Sequence, residues 1–198
     1  INYFPGSRLI SGDIHVHRRA LIRGMGFAAL STMLPQQLFD GLFKFIFVRN
    51  PWDLQVSSFH HIRRERPQLM SHIETFEEFL RWKLDPERPY QYHVDTSIEL
   101  QSDYAIDLHG RLLVDFLGRY ENLQEDFVEA CRRIGIRPRA LPHKRQARDR
   151  AKDYRGYYSD DLAELVARHF EPDIRLFDYT FDPPRGGLIP TSKSHPAP

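Results

Sequence analysis

The chain has 198 residues, of which 41% are hydrophobic and 28% are charged. This composition excludes an intrinsically disordered protein, and the length suits one domain with a sizeable core. The 28 basic and 27 acidic residues leave a net charge of +1, so any anion-binding function must depend on local clusters of charge. Basic residues are concentrated at positions 60–66 and 143–155. Each cluster is either a solvated surface or part of a binding site.

Cysteine content and hydropathy narrow the class of protein further. Cys131 is the only cysteine, which excludes an intrachain disulfide and any zinc site with more than one thiolate. No apolar run approaches the roughly 20 residues of a membrane-spanning helix, and no signal-peptide pattern opens the sequence. We therefore expect a protein that works in a reducing, cytoplasmic environment.

The first predicted elements are a helix, a strand and a second helix. Leucines recur at helical spacing within residues 31–42, and the apolar run FKFIFV at 43–48 predicts a strand buried on both faces. Asn50 is a suitable N-cap, Pro51 suits the first helical position, and Asp53 is an acid in the first turn. The face that this helix would bury consists of Trp52, Val56, Phe59 and Ile62.

The same alternation continues in the middle of the chain. Thr75 and Glu78 form a capping-box pattern for a helix over residues 76–84. The apolar stretch RLLVDFLG at 111–118 predicts a second short buried strand. Strands that are each followed by a capped helix predict an α/β layered sheet.

Two further helices are predicted before the C-terminus. Asn122 is the expected N-cap of the first, which ends at Gly135, and Ser159 is the expected cap of the second, over residues 161–170. Residues 177–181, FDYTF, predict a short extended segment.

The expected organisation is one domain over residues 1–182 and a tail over 183–198. The composition of the tail provides too little apolar surface to fold, so we expect it to be disordered.

Arg49 stands where the first predicted strand ends, and ligands of open α/β sheets bind outside the carboxyl ends of the strands. Ser57 lies eight residues further along, in the second turn of the helix. An arginine and a hydroxyl that converge in this way can hold a phosphate group. The alternative is that Arg49 pairs with Asp53 while Ser57 only packs, and physical reasoning leaves both interpretations open.

The segment FVRNPWDLQVSSF, residues 47–59, resembles the 3′-phosphate-binding signature of PAPS-dependent sulfotransferases of the carbohydrate-sulfating, Golgi type. In that family the arginine and the serine eight residues later hold the 3′-phosphate of the nucleotide, and Arg49 and Ser57 match those positions. The resemblance implies a P-loop-NTPase-like sulfotransferase fold, in which helices flank a central parallel sheet. It also implies PAPS as co-substrate, PAP as product, and no metal.

Two later blocks continue the resemblance. Residues 113–136 are similar to the second block of the family, a strand followed by an R-[FY]-E-N-L turn and a helix, and residues 141–181 resemble the third. The resemblance assigns Arg119 and Lys144 to the nucleotide site.

The family also has a lysine-containing P-loop for the 5′-phosphosulfate, and the reaction needs a base. Residues 4–9, FPGSRL, lack the strand and helix that such a loop requires, so we expect the P-loop to precede Ile1. DIHVH places His15 and His17 on one side of a strand, as in the His-x-His of uronyl 2-O-sulfotransferases, whose histidine is the base. The alternatives are a solvent-exposed pair or half of a metal site.

The resulting hypothesis is the transfer of a sulfuryl group from PAPS to a hydroxyl of an acceptor, expected to be a carbohydrate and not a nucleic acid. Exposed basic residues would meet an acidic glycan; they are Arg63, Arg64, Lys144 and Arg148. One alternative is a non-catalytic or truncated module that binds 3′-phosphonucleotides. A P-loop phosphotransferase is less consistent with the sequence, which lacks GxxxxGK[ST]. The resemblance makes the Golgi lumen the alternative location, if an upstream anchor has been removed.

Overall fold

The computed structural model describes residues 26–95, 97–141, 150–151 and 153–182. These residues fall into two compact units, one containing the stretch up to Val48 together with Gln101–Leu141, the other containing Arg49–Leu100 together with the described residues from Arg150 onward. In chain order the elements are α1 (Gly26–Met33), α2 (Gln36–Asp40), β1 (Phe45–Val48), α3 (Pro51–Glu65), α4 (Phe76–Lys83), α5 (Tyr92–Asp95), β2 (Phe116–Arg119), α6 (Leu123–Ile134), α7 (Asp160–His169) and α8 (Glu171–Phe177). The predicted tail at 183–198 lies outside the described residues.

The first unit contains a small parallel sheet. Strands β1 and β2 pair in register from Phe45 opposite Phe116 to Val48 opposite Arg119. Gly118 permits the ring of Phe47 to lie against β2, because a Cβ at this position would come within 2.4 Å of that ring. The predicted parallel pairing of the two apolar segments is therefore present among the described residues.

Three predictions for the first unit need correction. The helix expected over 31–42 is divided into α1 and α2 at Pro35, whose ring cannot continue a helix. The strand expected over 111–118 is shorter and shifted to Phe116–Arg119, because residues 111–113 hydrogen-bond instead to the antiparallel residues 105–107 across a turn at Asp107. Asn122 makes no side-chain cap for α6, although the helix does end at Gly135 in the left-handed conformation, as predicted.

The second unit is helical and is built around α3. The predicted apolar face of α3 is buried, and its members Trp52, Val56, Phe59 and Ile62 are all at most 4% exposed. Thr75 and Glu78 form the predicted capping box of α4, and Ser159 accepts a hydrogen bond from the N–H of Leu162 at the start of α7. Local capping signals therefore predict the starts of these helices correctly.

The end of the second unit differs from its prediction. Residues Glu171–Phe177 form α8, with Pro172 in its first turn, and Asp178 ends it in the left-handed conformation with φ of 53°. The extended segment expected at 177–181 was therefore wrong in its first residues. Phe177 and Tyr179 are both buried. Two buried residues at positions i and i+2 give the alternating apolar pattern that is typical of a strand.

Within the described ranges, no helix has the length and apolar character needed to cross a membrane.

Candidate anion-binding site

Asn50 fixes the main chain at the start of α3. Its side-chain oxygen accepts hydrogen bonds from the N–H groups of Trp52 at 3.0 Å and Asp53 at 3.3 Å. Its side-chain nitrogen donates to the carbonyl of Thr180 at 3.2 Å. The cap therefore satisfies two N–H groups of the first helical turn and attaches that turn to the C-terminal segment of the same unit.

Arg49 and Arg150 share the carboxylate of Asp53. Nε of Arg49 donates to Oδ2 of Asp53 at 2.5 Å, and a terminal guanidinium nitrogen of Arg150 donates to Oδ1 of the same carboxylate. The three side chains are only 11%, 14% and 19% exposed, for Arg49, Asp53 and Arg150 respectively. Two guanidinium charges thus meet one carboxylate charge, so this three-residue cluster has a net positive charge.

The surroundings of Arg150 disfavour its positive charge. Burial, followed by the positive charge of Arg49, lowers the pKa of Arg150 below its usual value. Its Nε is buried and has no hydrogen-bond partner among the residues that the structure describes. A buried N–H donor without a partner is rare in folded proteins and requires an explanation, of which a bound acceptor is one.

Ser57 lies on the side of α3 that bears this cluster. It is partly buried and comes one helical turn after Asp53. One further turn along the same side, Nε2 of His60 lies 2.9 Å from the hydroxyl of Tyr157, which also accepts from the N–H of Ala151 at 3.1 Å. His60 is therefore partly buried, whereas the next residue, His61, is exposed.

 The partial burial of His60, in a basic part of α3, results from the ring of Tyr157, which packs against the imidazole.

Two tyrosines hold the segment after Arg150 in place, and one of them, Tyr158, bonds to the start of α3. The hydroxyl of Tyr154 donates to the carbonyl of Phe181 at 2.5 Å, and the hydroxyl of Tyr158 donates to the carbonyl of Trp52 at 2.8 Å. Burial raises the pKa of Tyr154 to about 12 and also raises the pKa of Tyr158. Both phenols therefore remain protonated donors at neutral pH, and the main chain beside Arg150 is held in place.

The structure describes only one of the other predicted site residues. Arg119 belongs to the first unit, where it ends β2, is 7% exposed, and donates its main-chain N–H to Oδ2 of Asp126 at 2.6 Å. His15, His17 and Lys144 lie outside the described residues. Among the residues that are described, no group of three or more His, Cys, Asp or Glu side chains is arranged to hold a metal ion.

Sequence reasoning identified Arg49, Asp53 and Ser57 but did not identify Arg150 as their neighbour. Arg150 lies within the basic cluster at 143–155, where several arginines and lysines have equivalent sequence surroundings. It is 97 residues from Asp53, and no local spacing rule connects two positions so far apart. The concentration of positive charge was the available signal, and it did not distinguish one arginine from another.

Comparison with known proteins supplies the family. Residues 10–180 match the sequence profile of the Sulfotransferase family. The chain belongs to the sulfotransferase family. The matched range includes the entire Arg49, Asp53 and Arg150 cluster, so the cluster belongs to the family domain. This membership indicates sulfuryl transfer as the class of reaction, and the small parallel sheet agrees with a mixed helix and strand fold.

One relative extends the comparison without adding a function. A protein of Archaeoglobus fulgidus described as uncharacterized is 32% identical over 103 residues, which is 51% of this chain and 74% of that protein. No solved structure matches the chain described here significantly.

Proposed function

We propose that this sulfotransferase uses PAPS as its donor and transfers the sulfuryl group to a hydroxyl of a carbohydrate acceptor. The observation that carries the proposal is the partly buried Arg49 and Asp53 pair, one helical turn before Ser57, in a segment that resembles the 3′-phosphate signature. Arg49 and Ser57 would hold the 3′-phosphate of the nucleotide, and the P-loop-like fold implied by the resemblance is part of the same proposal.

The chemistry of the cluster fits a phosphate group. A phosphate monoester carries a charge of about −1.5 to −2 at pH 7, and a guanidinium donates paired, charge-assisted hydrogen bonds to its oxygens. Partial burial strengthens these interactions relative to bulk water. The pairing of Arg49 with Asp53, considered above as an alternative to phosphate binding, is compatible with it, because a guanidinium has five N–H donors.

In the proposed reaction, these residues bind and orient the nucleotide away from the bond that changes. The acceptor oxygen forms a bond to sulfur while the bond from sulfur to the 5′-phosphate oxygen breaks, which leaves PAP. A base takes the proton of the acceptor hydroxyl. We propose His15 or His17 for this role, on the resemblance to the His-x-His of uronyl 2-O-sulfotransferases.

The choice of an acidic carbohydrate as acceptor rests on charge at the end of α3. Arg63 and Arg64 are exposed there, the first with its guanidinium 5.8 Å from the ring centre of Phe59 and the second paired with Glu65 at 2.9 Å. Arginines at an exposed helix end can contact sulfate or carboxylate groups of a glycan.

Calorimetric titration with PAP tests the nucleotide site. We expect wild type to bind and Arg49→Ala to bind about 10-fold to 100-fold more weakly, because a hydrogen bond to a charged group contributes about 1.5–3 kcal/mol. Arg81→Ala is the matched control, since it removes the same charge from an exposed position on α4 that has no proposed binding role. No heat from wild type, or equal affinity for wild type and Arg49→Ala, contradicts the proposal.

An assay of sulfate transfer separates an enzyme from a module that only binds nucleotide. PAPS with labelled sulfate is incubated with uronic-acid-containing and neutral glycans, and transfer of label to a glycan supports the proposed reaction. If PAP binds normally but no acceptor gains label, the non-catalytic or truncated binding module becomes the better interpretation.

A further inference from the structure

We infer that Arg150 is a second guanidinium ligand of the 3′-phosphate, together with Arg49. This inference rests on the proposed function and extends it to a residue that the sequence signature does not contain. Its basis is the arrangement of three side chains, Arg49, Asp53 and Arg150, all within the second unit.

The two guanidiniums converge on one place. Each donates to a different oxygen of the same carboxylate, so Asp53 sets the separation between them. A carboxylate and a phosphate are recognised by the same donor geometry. An arginine pair that meets around one small anion can also donate to a second anion beside it, through N–H groups that the carboxylate does not use.

The hydrogen bonding of Arg150 leaves a donor for such an anion. One of its terminal nitrogens is used by Asp53, while its Nε is buried and lacks a partner among the described residues. Leaving a buried donor unpaired costs free energy, and the cost is higher for a charged group. A phosphate oxygen would satisfy this donor and would also balance the net positive charge of the cluster.

Arg150 is attached to a supported segment. The N–H of the following residue, Ala151, donates to the hydroxyl of Tyr157, and that hydroxyl lies 2.9 Å from Nε2 of His60 on α3. These contacts connect the main chain beside Arg150 to the side of α3 that carries Ser57. A ligand that is held before the nucleotide arrives loses less conformational entropy on binding.

The competing interpretation is that Arg150 only stabilises the protein through its pair with Asp53. The two interpretations differ in their dependence on the 3′-phosphate. A phosphate ligand contributes to the affinity for PAP and not to that for adenosine 5′-phosphate, which has no 3′-phosphate. A purely structural residue changes both affinities by a similar factor.

The experiment compares PAP with adenosine 5′-phosphate in calorimetric titrations of wild type, Arg150→Ala and Arg150→Lys. We expect Arg150→Ala to weaken PAP binding by about 10-fold to 100-fold while adenosine 5′-phosphate binding stays within about twofold. Arg150→Lys keeps the charge without the fork, so the preference for PAP should fall to an intermediate value. The matched control is Arg155→Ala, because Arg155 lies in the same segment and pairs with Asp153 and Asp182.

The outcomes separate this inference from the proposed function. If Arg49→Ala loses PAP affinity but Arg150→Ala does not, the inference is wrong and the proposed function stands. An equal loss for the two nucleotides also overturns the inference in favour of a structural role. If wild type does not bind PAP, the proposed function itself fails. Should Arg150→Ala not fold, the comparison of the two nucleotides is made with Arg150→Lys, and an unchanged preference for PAP overturns the inference.

Discussion

The junction that leads from β1 into α3 and the junction that leads from β2 into α6 contain an arginine, an asparagine and an aspartate in the same order. We call them the first junction, Arg49 to Asp53, and the second junction, Arg119 to Asp126. In each, the arginine ends or follows the strand, the asparagine precedes the helix, and the aspartate lies in the first helical turn. Their hydrogen bonds nevertheless differ.

At the first junction, the aspartate binds side-chain charges. Asn50 caps the helix, and the carboxylate of Asp53 accepts from the guanidiniums of Arg49 and Arg150. At the second junction, Asn122 makes no side-chain cap, and the carboxylate of Asp126 accepts from the main-chain N–H of Arg119. The comparison teaches that the same residue types at a strand end can hydrogen-bond differently: the first aspartate accepts from side-chain charges, and the second accepts from the main chain of its strand.

Replacing each aspartate by alanine should separate the two roles. We expect Asp53→Ala and Asp126→Ala each to lower the free energy of unfolding by about 2 kcal/mol, the first by leaving two guanidiniums without their carboxylate and the second by leaving a main-chain N–H without its acceptor. Inorganic phosphate should restore stability to Asp53→Ala alone, because the arginines then bind the added anion. Urea unfolding with and without phosphate, at constant ionic strength, measures both effects.

The response to phosphate is the decisive part of that comparison. Asp161→Ala is the control for loss of an acid from the first turn of a helix, since Asp161 is exposed near the start of α7. A similar phosphate response of Asp53→Ala and Asp126→Ala would mean that the two junctions do not differ in anion binding.

The second unit also buries a lysine, which packs against another side of α3. Nζ of Lys83 is fully buried and donates to Oε1 of Gln55 at 2.5 Å and to Oγ of Ser58 at 2.9 Å. Burial, followed by the positive charge of Arg88, lowers the pKa of Lys83 well below its usual value. Asp95, which pairs with Arg88, opposes this shift.

This lowered pKa makes stability depend on pH. The unfolded chain binds a proton at Lys83 up to about pH 10.4, whereas the folded chain releases it at lower pH. The unfolded state therefore holds more protons, and the free energy of unfolding should rise with pH through this range by up to about 1.4 kcal/mol per pH unit. Lys83→Met should remove this rise, as measured by urea unfolding at several alkaline pH values.

Lys44 provides the control for this prediction. It is 8% exposed, but its ammonium lies 3.1 Å from the carboxylate of Asp115. Lys44→Met should therefore leave the alkaline rise in place. An identical pH profile for wild type and Lys83→Met would show that Lys83 does not cause the rise.

Substitution of the two asparagines should change the free energy of unfolding by smaller and unequal amounts. Asn50→Ala removes a side chain that caps two N–H groups of α3 and should lower the free energy of unfolding by about 1 kcal/mol. Asn122→Ala removes no side-chain cap and should change it by less than about 0.5 kcal/mol. Thermal or urea unfolding of the two variants measures the difference, and equal losses would contradict the distinction between the junctions.

The sequence alone determined the features that depend on neighbouring residues. The caps at Asn50, Thr75 and Ser159 and the stop at Gly135 were all predictable, because each signal acts within one helical turn. The buried face of α3 followed from helical spacing, and the resemblance at residues 47–59 indicated the family that the profile match shows.

Tertiary structure decided which distant groups meet. The pairing of Asp53 with Arg150 and the burial of Lys83 against Gln55 depend on how helices and loops pack, and neither has a local pattern. A lysine near the end of an amphipathic helix is ordinarily exposed, so its burial required the packing of α4 on α3. The first junction was therefore predictable as a capped helix start beside an arginine, while its second arginine became visible only when the folded chain brought residue 150 to it.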